Sequence, residues 1–361
     1  MGIAHRRQVH LENDRLRLTL LPGGGHIAAA EWKETGLSPL WDPPWETMEP
    51  SRYDARSHPQ YGEGPEARLL SGIAGHSLCF DIFGGPSDAE AAAGLGVHGE
   101  GSAADWEVDS GAGWVKLRAE FPLAAMRFER RLELAAGSGR VDISETATNL
   151  AGTDRAVGWT QHVTLGPPFL EEGETLFEAS ATRSKVLDGE FAPGADRFAA
   201  GAEFDWPLAP LATGGWGDMR RAAREEASGA YTAHLMDPAR EESFFAAYHP
   251  GSEMLFGYTW QRSDFPWLGI WEENRSRSHR PWNRRTLARG MEFGASPFPE
   301  TRREALQRGR LFGEKTIGWV PARSSVRADY ALFIARAAAE DVRGFGSGLG
   351  LDQLRRYAAG G

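Results

Sequence analysis

Two histidines and one glutamate, far apart along the chain, are the residues best suited to do chemistry. His98 lies in Gly-Val-His-Gly-Glu, His162 in Gln-His-Val-Thr-Leu-Gly, and Glu292 in Gly-Met-Glu-Phe-Gly. An imidazole and a carboxylate that face one pocket can move protons to and from a hydroxylated substrate, and this chemistry needs no metal, nucleotide or covalent intermediate. The three residues predict an acid–base site without a cofactor, provided that the fold brings them together.

Each of these residues also has a structural explanation. Glycines on both sides of His98 allow a ligand to approach closely, but a single loop histidine is more often structural or exposed. His162 lies in an apolar, strand-like segment, where a core histidine held by one hydrogen bond is equally consistent. Glu292 stands between Met291 and Phe293. Because an unpaired carboxylate is costly to bury, that setting indicates a partly buried base.

Two further acids compete with Glu292 for the role of base. Glu272 and Glu273 end another strand-like segment, directly after Trp271. Adjacent residues of a strand point to opposite faces, so at most one of the two can face the pocket.

Tryptophan is abundant, with 13 residues in the chain. Trp106 and Trp271 lie in predicted rim positions, where a flat indole can pack against the C–H face of a sugar ring. Sandwich cores also use tryptophan heavily, so we expect most of these rings to serve packing.

Other functional templates are absent or weak. Residues 94–99 match the letters of a dinucleotide-binding loop, but neither a strand before them nor a helix after them can be predicted. His98 and Glu100 have the spacing of a two-histidine, one-carboxylate metal site that His162 could complete. That spacing is common by chance, and we expect no metal.

The composition of the chain limits the classes of partner that the protein can have. The chain has 361 residues with a formal net charge of -10, which argues against a nucleic-acid partner. No apolar stretch of about 18 residues occurs, which argues against a membrane span. The single cysteine, Cys79, is expected to be a buried thiol in a reducing compartment. These features predict a cytoplasmic protein whose partner is a small molecule.

Five arginines between Glu273 and Glu292 leave open a phosphorylated ligand, although a solvated basic loop explains them equally well. They are Arg275, Arg277, Arg280, Arg284 and Arg285.

Strand-like alternation dominates the chain and predicts an all-β fold, a large antiparallel sandwich with few short helices. The predicted strands are 16–20, 114–121, 126–134, 141–148, 156–165, 244–248, 254–261, 268–271 and 325–334. Helices are predicted only at 218–227, 300–307 and 351–357, and residues 181–215 are predicted to form a long excursion at the sheet rim. We expect one domain over residues 1–343, followed by a C-terminal loop and short helix over 344–361.

Several fragments together resemble the aldose 1-epimerase or galactose mutarotase-like superfamily. Residues 11–27 resemble its first hairpin, and Val97–Glu100 resemble its His-Gly segment. Thr148-Asn149, followed by Gln161-His162 and Gly166–Phe169, resemble its second histidine segment. Gly290–Glu292, followed by the turn Pro321–Ser324, resemble its catalytic-glutamate strand and closing strand. The resemblance implies a β-supersandwich that interconverts the α- and β-anomers of an aldose.

The resemblance also implies roles for individual residues. Glu292 would take the proton of the anomeric hydroxyl, His162 would protonate the ring oxygen, and His98 would bind near that oxygen. Arg68 stands in for the family's substrate-binding arginine, and no residue matches its substrate-binding aspartate. The full set of substrate-binding candidates is His98, Glu100, Arg68, Trp106, Trp271 and Glu273. A non-catalytic carbohydrate-binding module, or a polysaccharide-active relative on the same fold, remains the alternative.

Overall fold

Antiparallel β-strands form nearly all of the regular structure in the computed structural model, which describes residues 2–224, 227–338 and 342. In its first half the strands are β1 Val9–Glu12, β2 Leu16–Leu21, β3 His26–Trp32, β4 His76–Asp81, β5 Glu107–Gly111, β6 Trp114–Phe121, β7 Met126–Leu134, β8 Arg140–Asn149, β9 Arg155–Leu165, β10 Leu176–Ala179 and β11 Ala181–Val186. In its second half they are β12 Glu203–Asp205, β13 Leu208–Pro210, β14 Trp216–Asp218, β15 Ser228–Met236, β16 Glu242–His249, β17 Met254–Gln261, β18 Trp267–Asn274, β19 Leu287–Gly294, β20 Arg310–Leu311, β21 Glu314–Lys315, β22 Gly318–Val320 and β23 Ser325–Arg336.

Two large sheets are built from these strands. One has eleven strands and runs in the order β1-β2-β3-β4-β9-β19-β18-β15-β11-β12, with β22 pairing β9 beside this path. The other has eight strands in the order β10-β16-β17-β23-β8-β7-β6-β5. The predicted all-β, antiparallel class is therefore confirmed, and so is the meander formed by β6, β7 and β8.

Helices are short and few. In the described residues they are α1 Ala67–Gly72, α2 Asp88–Ala92 and α3 Arg302–Arg308, with 3-10 turns at Pro50–Arg52, Pro59–Tyr61 and Pro250–Ser252. The prediction of a helix near 300–307 is confirmed: the Thr301 hydroxyl accepts from the Glu304 amide, which starts α3 with a reciprocal cap. None of these helices exceeds seven residues, too few to cross a membrane.

The helix predicted at 218–227 is wrong over its described part. The segment after β14 is extended instead, because its backbone pairs with residues 173–177: the Arg220 carbonyl accepts from the Phe177 amide, and the Ala222 amide donates to Thr175. Met219 and Ala222 are buried. Tertiary pairing here outweighs the helix propensity of an Ala- and Arg-rich segment.

Residues 181–215 also differ in part from the prediction. They contain β11 and β12, two paired strands of the eleven-stranded sheet, followed by β13, which pairs with β14 in a separate hairpin. The predicted helix at 351–357 lies outside the described residues, and the single domain over 1–343 stays a prediction.

A continuous apolar core lies between the two sheets and includes Phe128, Trp159, Tyr258 and Phe293. A charged pair is buried within it. The Arg130 Nε lies 2.6 Å from Glu145 Oε1, and both side chains are fully buried. Such a pair is retained only when other partners satisfy the remaining polar atoms.

Those partners come from the neighbouring strand β23 and from the facing sheet. The carboxylate of Glu145 also accepts from Trp159, Gln161 and Tyr330, and Arg130 donates to the Gly25 carbonyl. The network ties β7 and β8 of one sheet to β9 of the other, the strand that also carries His162.

Candidate active site

The pairing of β9 with β19 brings two of the predicted catalytic residues into contact. His162 lies directly opposite Glu292 in this antiparallel pair, although 130 positions separate them in the sequence. Directly opposed side chains project from the same face of a sheet. The His162 Nε2 lies 3.0 Å from Glu292 Oε1, and the two side chains are 7% and 2% exposed.

Two glycines make room for this contact. A Cβ atom on Gly290 would lie 2.4 Å from Glu292 Oε1, and a Cβ on Gly269 would lie 1.9 Å from the Tyr231 hydroxyl oxygen. Glycine at these two positions therefore lets the carboxyl fold back along its own strand and lets Tyr231 reach it. The Tyr231 hydroxyl lowers the pKa of Glu292 through a side-chain hydrogen-bond effect, and it also lies 3.4 Å from the Pro297 carbonyl oxygen.

Burial controls the protonation of the pair. It raises the pKa of Glu292 to about 8, against the smaller effect of the Tyr231 hydrogen bond. It also lowers the pKa of His162 to about 3, and the nearby His98 adds to that effect. Both pKa shifts favour the uncharged form of the group, because a desolvated site disfavours charge. The pair therefore carries one proton across the neutral range, and in the free site this proton is on Glu292.

His98 joins the pair from another part of the chain. It has a left-handed backbone with φ 64° in the loop between α2 and β5, and its ring centroid lies 5.4 Å from that of His162. Its Nδ1–H donates to the Phe83 carbonyl. Burial lowers the pKa of His98, despite this hydrogen bond. The neutral ring thus presents Nε2 as a hydrogen-bond acceptor.

The three residues line one pocket of about 280 Å³. That volume lies near the lower end for small-molecule sites and suits a ligand of monosaccharide size. Much of the wall is aromatic or aliphatic. The aromatic and aliphatic lining residues include Leu69, Leu70, Ile73, Val97, Phe191, Tyr231, Trp271 and Trp282. Trp271 and Trp282 meet edge to face, with ring centroids 6.0 Å apart.

Trp271 is the one predicted aromatic contact that reaches this pocket. Trp106 lies instead in the core between the sheets, where its Nε1–H donates to the Gly101 carbonyl and its ring packs on Phe121 and Phe128. A substrate contact for Trp106 has no geometric support.

Arg68 and Glu100 line a neighbouring pocket of about 260 Å³, which shares Pro65, Leu69 and Val97 with the first. The Glu100 carboxylate accepts from the Ala124 amide. Both residues lie beside the site and outside the set that surrounds His162 and Glu292, so their roles in binding substrate stay predictions.

The two competing acids point to opposite faces of the sheet, as expected. Glu272 is in the core, where Arg197 Nη1 lies 2.7 Å from its Oε2 and Arg289 Nη1 lies 3.1 Å from its Oε1. Glu273 is on the pocket face and accepts from Ser276 and from the Arg277 amide. Glu292 alone of these acids contacts a histidine.

Among the residues that line the pocket, Arg277 was the hardest to predict from the sequence. It is the only one of the five clustered arginines that lines this pocket among the described residues. Arg275 pairs with Glu172, and Arg280, Arg284 and Arg285 are exposed. The signal that could have found it is the aromatic neighbourhood on both sides of the loop, Trp271 and Trp282.

No metal-binding cluster of three or more His, Cys, Asp or Glu side chains occurs within residues 2–224, 227–338 and 342. Cys79 is buried, as predicted, and burial raises the pKa of its thiol.

Comparison with known proteins identifies the fold. No protein-family model matches the sequence, and no curated protein matches it. Solved structures do match along nearly the whole chain. A protein from Klebsiella pneumoniae, provisionally described as an aldose 1-epimerase, has a TM-score of 0.65 at 17% identity over 96% of this chain and 81% of its own.

Two other structures agree. A protein from Escherichia coli K12 with the same provisional description has a TM-score of 0.60 at 12% identity, over 91% of this chain and 99% of its own. The GalM/aldose epimerase homologue from C. elegans has a TM-score of 0.57 at 13% identity, over 92% of this chain and 99% of its own. The chain therefore has the galactose mutarotase-like β-sandwich fold, as the resemblance implied. At these identities the likeness establishes the fold alone.

Proposed function

We propose that this protein is an aldose 1-epimerase, which interconverts the α- and β-anomers of a sugar. The observation that carries the proposal is the 3.0 Å contact between His162 Nε2 and Glu292 Oε1 within an aromatic pocket of monosaccharide size. A cyclic sugar has its anomeric hydroxyl and its ring oxygen on the same carbon. A base and an acid that touch each other therefore match two oxygens that are also neighbours.

The reaction needs one proton on the pair. In the free site that proton is on Glu292, so it first passes to His162 across their 3.0 Å contact. The ionised Glu292 then takes the proton of the anomeric hydroxyl while His162 delivers its proton to the ring oxygen, so that the C1–O bond of the ring breaks and a free aldehyde forms. Rotation about C1–C2 presents the other face of the aldehyde, and ring closure reverses both transfers. Because the reverse step uses the same groups in exchanged roles, a pair with one shared proton can serve both directions.

His98 and Trp271 would orient the sugar. The Nε2 of His98 is an acceptor and can bind a sugar hydroxyl near the ring oxygen. The face of Trp271 offers an apolar surface to the C–H face of the ring. A small neutral carbohydrate is the partner that these groups favour.

Polarimetry and NMR anomerisation with a panel of free aldoses test the proposal. Freshly dissolved α-anomer should equilibrate faster with the protein than without it. Glu292→Gln and His162→Asn should each lower the catalysed rate by about 10²- to 10⁴-fold, the usual contribution of a positioned acid or base. His279→Asn, at an exposed histidine outside the pocket, is the matched control and should keep the wild-type rate.

The same experiment separates the alternatives. Sugar binding without acceleration by the wild-type protein would identify a non-catalytic carbohydrate-binding module. Unchanged acceleration by both variants would refute the assignment of the acid and the base.

A further inference from the structure

Arg277 is held in the pocket by two carboxylates. Its Nε lies 3.4 Å from Glu273 Oε2, and its Nη1 lies 3.5 Å from Glu66 Oε2. Glu273 is almost fully buried and also binds the backbone amides of residues 276 and 277, which fixes the start of the loop. One guanidinium therefore lies between two negative groups.

Three aromatic rings also lie close to the same guanidinium. Its Cζ lies 4.7 Å from the ring centre of Trp282, 5.6 Å from that of Phe191 and 5.8 Å from that of Trp271. Stacking of this kind immobilises the planar group. In the described part of the chain, its Nη2 makes no hydrogen bond, so one donor edge remains for a ligand.

The charges around this donor do not suit an anion. Glu66, Glu273 and Arg277 sum to one negative charge, and Glu66 and Arg277 both act on His98 across the pocket. An anionic sugar would gain the attraction of Arg277 but meet two carboxylates close to it. A hydroxyl group gains the hydrogen bond without this repulsion.

Glu66 is placed to control the preference of the pocket for uncharged over anionic ligands. It immediately precedes α1, but its side chain makes no capping hydrogen bond to that helix. Its side chain lines the pocket and is 39% exposed. Removal of its charge should therefore leave the helix and the core intact.

We propose that the Glu66–Arg277–Glu273 cluster is a specificity device that admits uncharged sugars and excludes sugar acids and sugar phosphates. This inference rests on the proposed function, in that it names the ligands of the same pocket. It also argues against the phosphorylated ligand that the clustered arginines left open. Glu66 acts as a positioning residue, and Arg277 makes the contact.

Equilibrium binding of defined sugars tests the proposal. Glucose and galactose would be compared with glucuronate, galacturonate and glucose 6-phosphate, by calorimetry or ligand-observed NMR, in the wild type and in Glu66→Gln. We expect the ratio of anionic to neutral affinity to rise about tenfold, because one charge about 6 Å away in a medium between protein and water has an effect of that size. The gain should weaken at high salt.

Two further variants sharpen the result. Glu63→Gln removes an exposed charge of the same loop that does not line the pocket, and it should leave the ratio unchanged. Adding Arg277→Gln to Glu66→Gln should abolish the gain in anion binding. An unchanged ratio in Glu66→Gln, or a gain that persists without Arg277, would overturn the proposal.

These experiments distinguish failure of the specificity proposal from failure of the epimerase assignment. If no sugar is anomerised but Glu66→Gln still gains affinity for glucuronate, the epimerase assignment fails and the specificity device stands. If anomerisation is accelerated but the ratio does not move, the device alone fails.

Discussion

Replacement of the proposed catalytic base, Glu292, should make this protein more stable above neutral pH. Glu292 is 2% exposed, and burial raises its pKa to about 8, whereas an unfolded glutamate has its ordinary value of 4.5. Between these values the folded protein holds a proton that the unfolded chain has released. Stability must therefore fall as pH rises from about 4.5 to about 8, and remain low above that range. Glu292→Gln removes this penalty because an amide does not ionise.

The size of the effect follows from the two pKa values. Their difference of about 3.5 corresponds to about 5 kcal/mol in the free energy of unfolding, which is an upper value. The amide makes poorer contacts with His162 and Tyr231 than the carboxyl does, which costs about 1 to 3 kcal/mol. We therefore expect Glu292→Gln to be about 2 to 4 kcal/mol more stable than the wild type at pH 8.5, with no gain at pH 4.5.

Urea denaturation at pH 4.5, 6.5 and 8.5 measures this difference. Glu272→Gln is the matched control, since it changes another buried glutamate on the neighbouring strand. Burial alone would raise the pKa of Glu272, but Arg197 and Arg289 outweigh it and lower that pKa. Glu272→Gln should therefore destabilise the protein. If Glu292→Gln is less stable than the wild type by the same amount at every pH, then the carboxyl of Glu292 is not protonated at neutral pH and the reasoning is refuted.

Three further predictions concern activity and packing. The rate of anomerisation should follow a bell-shaped pH profile with limbs near 3 and 8, because the His162–Glu292 pair must carry one proton; a flat profile across pH 8 would contradict the shared proton. Tyr231→Phe removes a hydrogen bond that lowers the pKa of Glu292, so the alkaline limb should move to higher pH, and an unmoved limb would show that the hydroxyl does not act on the carboxyl. Glu272→Gln should lower the free energy of unfolding in urea by about 3 to 5 kcal/mol, since it leaves the buried Arg289 poorly paired; a change below about 1 kcal/mol would mean that Arg197 and Arg289 find other partners.

Strand positions were predictable wherever one face of the sheet is buried and the other is not. The strands β6 and β7 alternate between buried and more exposed residues, and the predicted bounds of both are confirmed. The strands β4 and β15 are buried along their whole length. They show no period of two and were not predicted, although β9 and β17, which are buried almost throughout, were predicted.

The site was predictable in part. His98, His162, Glu292 and Trp271 were all named from the sequence, and the structure brings them to one pocket. Their types and their Gly-bounded fragments were visible, but their contact depends on strands that pair across long stretches of chain.

What the sequence determined by itself was therefore local: the period of the strands, the start of α3, and the residue types able to move a proton. Only the tertiary structure decided the register that sets His162 opposite Glu292 and the burial that raises the pKa of Glu292. It also decided that Arg277, rather than Arg68, lines that pocket. Alternation and capping depend on neighbours within about ten residues, whereas desolvation and register arise when distant segments pack together.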